Sequence, residues 1–175
     1  MRQQPPIIAL AGPDGVGKST AANEIASAMR DHDFLVTVLI GSFGRPLREA
    51  ARLLCEHPPK SDGWRDWMRA AGDTARATHG EDVLISALEA NLRDRYDYDN
   101  WNGHLAIIDD LRTDGEAKWV HASKGVVIEL RREGVTYSGH SLDSRLHPTL
   151  IDAVVPVGDP TETARHILRL TGWLG

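Results

Sequence analysis

One cysteine, Cys55, in 175 residues excludes an intrachain disulfide, and such sparing use of cysteine is expected of a cytoplasmic protein. No apolar run approaches the roughly 18 residues of a membrane helix, and the opening MRQQPP lacks the long apolar segment of a secretory signal. A basic excess is also missing: 20 Lys and Arg face 25 Asp and Glu, for a net charge of -5. That balance argues against a protein that coats nucleic acid through a broad basic face. The chain has eight histidines, yet no pair shows zinc spacing backed by cysteines. Cys55-x-His57 is only a two-ligand fragment, better read as a buried thiol beside a helix end. No internal repeat, low-complexity tract or Ser/His/Asp arrangement is visible. A guanine-nucleotide switch needs an N/T-K-x-D motif, and Lys60-Ser61-Asp62 lacks the leading polar residue and lies in the wrong place.

What is present is an ordinary globular composition, 41% hydrophobic and 26% charged. A chain of this length forms one domain, here 1–175, and buries roughly 70% of its unfolded surface without a metal or disulfide staple. Short apolar runs recur along it: Ile7–Ala11, Phe34–Ile40, Leu105–Ile108, Gly125–Leu130 and Ala153–Val157. Helical stretches or longer connections separate most of them. The first helix is expected at Thr20–Met29, where Ile25 and Met29 share a face. Continuous apolar strands alternating with helices predict an α/β fold with a five-stranded parallel sheet flanked by helices. The middle of the chain, 46–99, reads as a helical insertion with helices near 46–56, 64–78 and 81–95. Glu81 and Asp82 suit the first turn of the last of these.

The sharpest signal is Gly12-Pro13-Asp14-Gly15-Val16-Gly17-Lys18-Ser19-Thr20, which fits G-x-x-x-x-G-K-[ST] between a buried strand and a helix. Glycines permit a tight loop whose successive backbone N–H groups face phosphate oxygens. The positive end of the following helix adds to that field. Lys18 is the expected partner of the β- and γ-phosphates, and the Ser19 hydroxyl the expected Mg²⁺ ligand. ATP and Mg²⁺ are therefore the implied cofactors. A second carboxylate is expected at the end of another strand, and Asp109 and Asp110 both follow the third apolar run. They face opposite ways if the strand continues. One is expected to serve the metal and the other the structure; periodicity does not say which.

The P-loop is followed in order by Ser42 to Arg48, Met68 to Arg76, Asp110 to Glu116, His140 to Asp143 and Asp152 to Gly158, and together these segments resemble the phage-type deoxynucleoside monophosphate kinases of the P-loop nucleoside monophosphate kinase superfamily. Ser42-Phe43-Gly44-Arg45-Pro46-Leu47-Arg48 is similar to that family's S-F-A-x-P-L-K. Met68 to Arg76 resembles L-Q-x-L-G-T-E-x-x-R, and Asp110 to Glu116 resembles D-V-R-F-x-N-E. His140 to Asp143 resembles H-x-S-E, and Asp152 to Gly158 stands where the family has D-x-x-I-x-N-x-G. The order is preserved from about residue 7 to 170.

The resemblance implies a P-loop NTPase fold, a helical acceptor region and a short lid near 131–147. It also implies transfer of the γ-phosphoryl group of ATP to a nucleoside monophosphate. Arg48 and Arg76 would hold the acceptor phosphate, Arg112 would reach the acceptor or the transferring group, and Arg131 and Arg132 would act from the lid. Asp14, as in thymidylate kinases, would orient the acceptor, its phosphate clamp or its sugar. Asp110 joins Lys18, Arg112 and Asp14 among the expected catalytic residues, and Asp109 joins Ser19 as an expected metal ligand. His140 is expected at the phosphate or in the organisation of the lid. Trp64 and Trp67 share a helix face, with packing the expected role and Trp67 in reach of the acceptor base. Tyr96, Tyr98 and Trp101 read as a surface loop.

Three departures stand out. The P-loop is closer to thymidylate kinases than to the phage R-S-G-K-D form, Gly44-Arg45 replaces A-D, and Val157-Gly158-Asp159 replaces the N-x-G pattern. They bear on substrate identity more than on reaction type. A kinase acting on a hydroxymethyl-bearing base in DNA is the alternative, with Arg45, Arg48 and Arg52 as its basic patch, and a nucleotide-hydrolysing switch or ATPase is the third reading. The setting expected is cytoplasmic, that of the host if the chain is phage-encoded, with no membrane partner. A homodimer stays open.

Overall fold

The computed structural model describes residues 6–32, 36–54, 62–95, 104–139 and 143–174. Five parallel strands, β1 (Ile7–Ala11), β2 (Thr37–Gly41), β3 (His104–Ile108), β4 (Val126–Arg131) and β5 (Ala153–Pro156), form one sheet in the order β2-β3-β1-β4-β5. The register pairs Ile8 with Ile107 on one side of β1 and with Val126 on the other. The α/β architecture predicted from the sequence is thus the one observed. Strand β2 begins at Thr37, three residues later than its apolar run. Residues 33–35 lie outside the described residues.

Both faces of the sheet are covered, which explains why β1 is apolar at every position and β3 from Leu105 onward. One face carries α1 (Lys18–His32) and α6 (Pro160–Leu170). Ile25, Met29, Ile167 and Leu168 pack there on Ile8, Leu10, Ile107 and Ile128. The other face carries α4 (Val83–Arg95) and α5 (Asp114–Ala122). Leu84, Leu88, Leu92 and Val120 pack there on Ile7, Ala9, Ala106 and Ile108. Two further helices, α2 (Arg45–Leu54) and α3 (Asp62–His79), join α4 in the connection between β2 and β3.

Local chemistry sets several boundaries. Helix α5 opens with a capping box: the Thr113 hydroxyl accepts from Glu116 N, and Glu116 Oε2 accepts from Thr113 N. Asp159 caps α6 through Glu162 N, with Pro160 in the first turn. Helix α1 starts at Lys18, two residues earlier than the alanine-rich stretch suggested, because the P-loop itself runs into the helix.

Chain direction then positions the site. From β1 the chain crosses by α1 beyond β3 to β2; from β3 it crosses by α5 beyond β1 to β4. These adjacent strands therefore send their connections in opposite directions. A crevice opens at their carboxyl ends, the usual place for a ligand in an open parallel sheet. Among the described residues no helix is long and apolar enough to cross a membrane.

Leu88 is fully buried on α4, against β2 and β3. Leu88→Ala is expected to cost about 2–5 kcal/mol, read as a lower urea midpoint at unchanged m-value.

Candidate active site

The loop after β1 is shaped by glycine. Gly12 has a φ of 136°, and a Cβ there would lie 2.7 Å from the Leu130 carbonyl oxygen on β4. Only glycine lets the loop leave this close to the neighbouring strand. Gly17 takes a φ of 110° just before α1, which turns the backbone into the helix N-terminus. Val16 is fully buried among the side chains of the α1 face and anchors the loop from beneath. Gly15 stands at the rim and Thr20 is exposed on α1.

Lys18 is buried, and its ammonium donates to the Gly12 and Pro13 carbonyls at 2.6 and 2.9 Å. Two of its three N–H bonds are thereby oriented, and the third remains for an anion in the loop. Burial, then the nearby Arg112 charge, holds the ammonium below its usual range. Ser19 Oγ donates to Asp109 Oδ2 at 2.7 Å. Burial, with Asp110 next to it, raises the Asp109 carboxyl above its ordinary value. A hydroxyl and a carboxylate that meet in this way suit Mg²⁺, which takes few protein ligands and completes its shell with water and phosphate oxygens.

Asp110 turns the other way, although β3 itself ends at Ile108. It accepts from the backbone N–H groups of Phe43 and Gly44 at 2.7 and 2.9 Å, and from the Ser42 hydroxyl. Arg48 donates in turn to Ser42 Oγ. Asp110 therefore fixes the β2–α2 turn, and of the two carboxylates it is Asp109 that meets Ser19.

Beside the P-loop lies a cavity of about 290 Å³ between α2, α3 and the loop after β3. Arg48, Arg69, Arg76 and Arg112 line it, with Asp14, Asp110 and Glu116, and with Phe43, Leu47, Trp64, Met68 and Leu84 as its apolar wall. Asp14 bridges Arg112 at 2.9 Å and Arg69 at 3.1 Å. Burial pushes its carboxyl up, but Arg112 and then Lys18 outweigh that and leave it below the ordinary value. Glu116 is buried and held above its usual range by that burial. Its Oε1 accepts from Arg76 at 3.0 Å and its Oε2 from the N–H groups of Arg112 and Thr113.

The structure thus gathers Asp14, Arg48, Arg76, Arg112 and Asp110 around one cavity, and Lys18, Ser19 and Asp109 around the loop. Two expectations shift. Trp67 is 40% exposed and stacks on Trp64 with ring centroids 5.1 Å apart. It is Trp64, the inner ring of that pair, that lines the cavity. Arg131 leans back on buried Glu129 at 2.6 Å, whereas Arg132 reaches over the P-loop, with Nη2 3.2 Å from the position of a Cβ on Gly17. His140 falls outside the described residues, as do Cys55, His57, Tyr96, Tyr98 and Trp101.

Sequence reasoning missed Arg69, which stands where the resembled segment has glutamine and so carried no motif signal. It also missed Glu129 and Arg145. Glu129, 1% exposed at the end of β4, accepts both fork nitrogens of Arg145 at 3.0 and 3.1 Å, and Tyr137 donates to it at 3.2 Å. A charge at the end of a strand-like run was the available clue. Asp143 belongs to the segment resembling H-x-S-E and accepts from Asp14 N at 3.1 Å and Ser138 N at 2.7 Å. Through Glu129 and Asp143 the segment after β4 is tied to the sheet and to the P-loop.

The Glu129 tie is pH-sensitive with a definite sign. Burial raises the Glu129 carboxyl, but Arg145 and Arg131 outweigh it and hold it below the ordinary value. The stability it contributes is present above the unfolded-state pKa, and is lost as pH falls through the depressed folded one. Glu129→Gln should lower the urea midpoint at pH 7, and its gap from the wild type should close towards pH 3.

In a comparison with solved structures, the chain aligns with an APS kinase from Mycobacterium tuberculosis at a TM-score of 0.54 and 16% identity, covering 97% of this chain and 99% of the other. A gluconokinase from Sinorhizobium meliloti aligns at 0.47 with 16% identity, covering 96% and 92%. No protein-family model matches, and no curated protein does. With the P-loop and the five-stranded parallel sheet, the first alignment gives the chain the fold of the P-loop kinases.

Proposed function

We propose that this protein is a P-loop kinase that transfers the γ-phosphoryl group of Mg-ATP to the phosphate of a nucleoside monophosphate. The observation that carries the reading is the chemistry of the cavity beside the P-loop: four arginines and an apolar wall, with every carboxylate already engaged by donors. A hydroxyl acceptor must lose a proton as it attacks, and calls for a base in hydrogen-bond reach. A phosphate acceptor is already anionic and needs cations around it. This cavity offers cations.

In this reading Ser19 and Asp109 hold Mg²⁺, which when bound neutralises charge on the ATP phosphates. The loop N–H groups and the third N–H of Lys18 hold the phosphate chain. Arg132, over Gly17, is the arginine after β4 that serves the nucleotide side, while Arg131 steadies Glu129. Arg48, Arg69 and Arg112 grip the acceptor phosphate. Trp64, Phe43 and Met68 give its base an apolar surface. An acceptor phosphate oxygen bonds to the γ-phosphorus as the bond to the β–γ bridging oxygen breaks, so the protein's work is positioning and charge stabilisation. The resemblance to phage-type deoxynucleoside monophosphate kinases supports the same acceptor class.

The test offers protein, Mg²⁺ and labelled ATP a panel of ribo- and deoxynucleoside monophosphates, the APS of the neighbouring fold, and hydroxymethyl-bearing DNA. Label is expected in a nucleoside diphosphate; label only in DNA or APS would overturn the proposal. Lys18→Ala should lower transfer by about a hundredfold or more at an unchanged circular dichroism spectrum. Asp109→Asn should raise the Mg²⁺ concentration for half-maximal rate by about tenfold.

A further inference from the structure

Asp14 occupies an unusual seat. Its carboxylate stands where the P-loop meets the cavity, with one oxygen 2.9 Å from Arg112 Nη2 and the other 3.1 Å from Arg69 Nη2. Its backbone N–H is fixed separately by Asp143. One guanidinium to each oxygen is also how two arginines divide a phosphate between them. The carboxylate therefore already makes the contacts that a bound phosphate would take.

Resting on the acceptor-phosphate reading above, we propose that Asp14 is an internal stand-in for the acceptor's phosphate. Its carboxylate holds Arg69 and Arg112 until the substrate dianion takes them, so acceptor affinity is set by a competition within the protein. The other two carboxylates of the cavity are unsuited to that exchange. Asp110 is locked by the N–H groups of Phe43 and Gly44, and Glu116 by those of Arg112 and Thr113. The Asp14 carboxylate is instead held by arginine side chains, and its side chain is 35% exposed against 14% for Asp110 and 4% for Glu116. It is the carboxylate free to step aside without breaking a turn or a helix cap. Arg69 completes the seat from α3, across the cavity from Arg112. An acceptor must outbid a built-in anion, which weakens the hold on small or weakly charged ligands and keeps the two cations neutralised between turnovers.

The experiment measures binding without turnover. Inorganic phosphate is titrated calorimetrically into protein saturated with Mg²⁺ and a non-hydrolysable ATP analogue, so that the P-loop is already filled. Asp14→Asn is expected to bind phosphate about three- to tenfold tighter than the wild type, with the circular dichroism spectrum unchanged. Arg69→Met should weaken phosphate binding more in the Asp14→Asn background than in the wild type, because only in the wild type does its loss also loosen the competitor. A simple structural role for Asp14 would not produce that sign of coupling. Equal or weaker phosphate binding by Asp14→Asn, or strictly additive effects of the two substitutions, would overturn the proposal. The kinase reading fails separately, in the transfer assay.

Discussion

The enclosure of β1 and β3 on both faces governs everything else in the molecule. Apolar helices cover the sheet above and below, so a polar side chain along these strands would be stranded without water. Chemistry is pushed to the carboxyl ends, where the strands stop and their connections part in opposite directions. The P-loop and the Asp109–Asp110 pair sit side by side for that reason. The tight exit at Gly12 follows from the same crowding, since the neighbouring strand leaves no room for a side chain.

At that edge the protein handles charge in an ordered way. Carboxylates that shape the backbone are tied to N–H groups: Asp110 to the β2–α2 turn and Glu116 to the start of α5. Carboxylates that face the ligand space meet side chains: Asp14 its two arginines, and Asp109 the Ser19 hydroxyl. The overall charge of -5 gives no hint of this division. Arg48, Arg69, Arg76 and Arg112 line the cavity against Asp14, Asp110 and Glu116, so a chain acidic in sum still keeps a small positive balance in the pocket.

The fold was largely legible because its signals are local. Runs such as Ile7–Ala11 and Leu105–Ile108 carry no polar position, and buried parallel strands read that way. The P-loop was legible because its glycines, lysine and serine are contiguous. The cavity was harder to read because it is assembled from segments far apart in the chain. Arg69 meets Asp14 across 55 residues and Arg145 meets Glu129 across 16, and no pattern in either segment marks the pairing. The choice between Trp64 and Trp67 also lay beyond periodicity. Two rings three residues apart share one helix face, and only the packing of α3 decides which of them turns inward.

Glu116 binds two histories together. It is the third residue of α5 and completes that helix's capping box, yet its other oxygen holds Arg76 from α3. A change that suits the cavity but removes the carboxylate also removes one half of the capping box that opens the helix leading to β4. The wall of the pocket and the secondary structure behind it are therefore under one selection. Substitutions that reshape the ligand space in descendants of this chain should gather at Met68, which lines the cavity without belonging to the packed core on either face of the sheet.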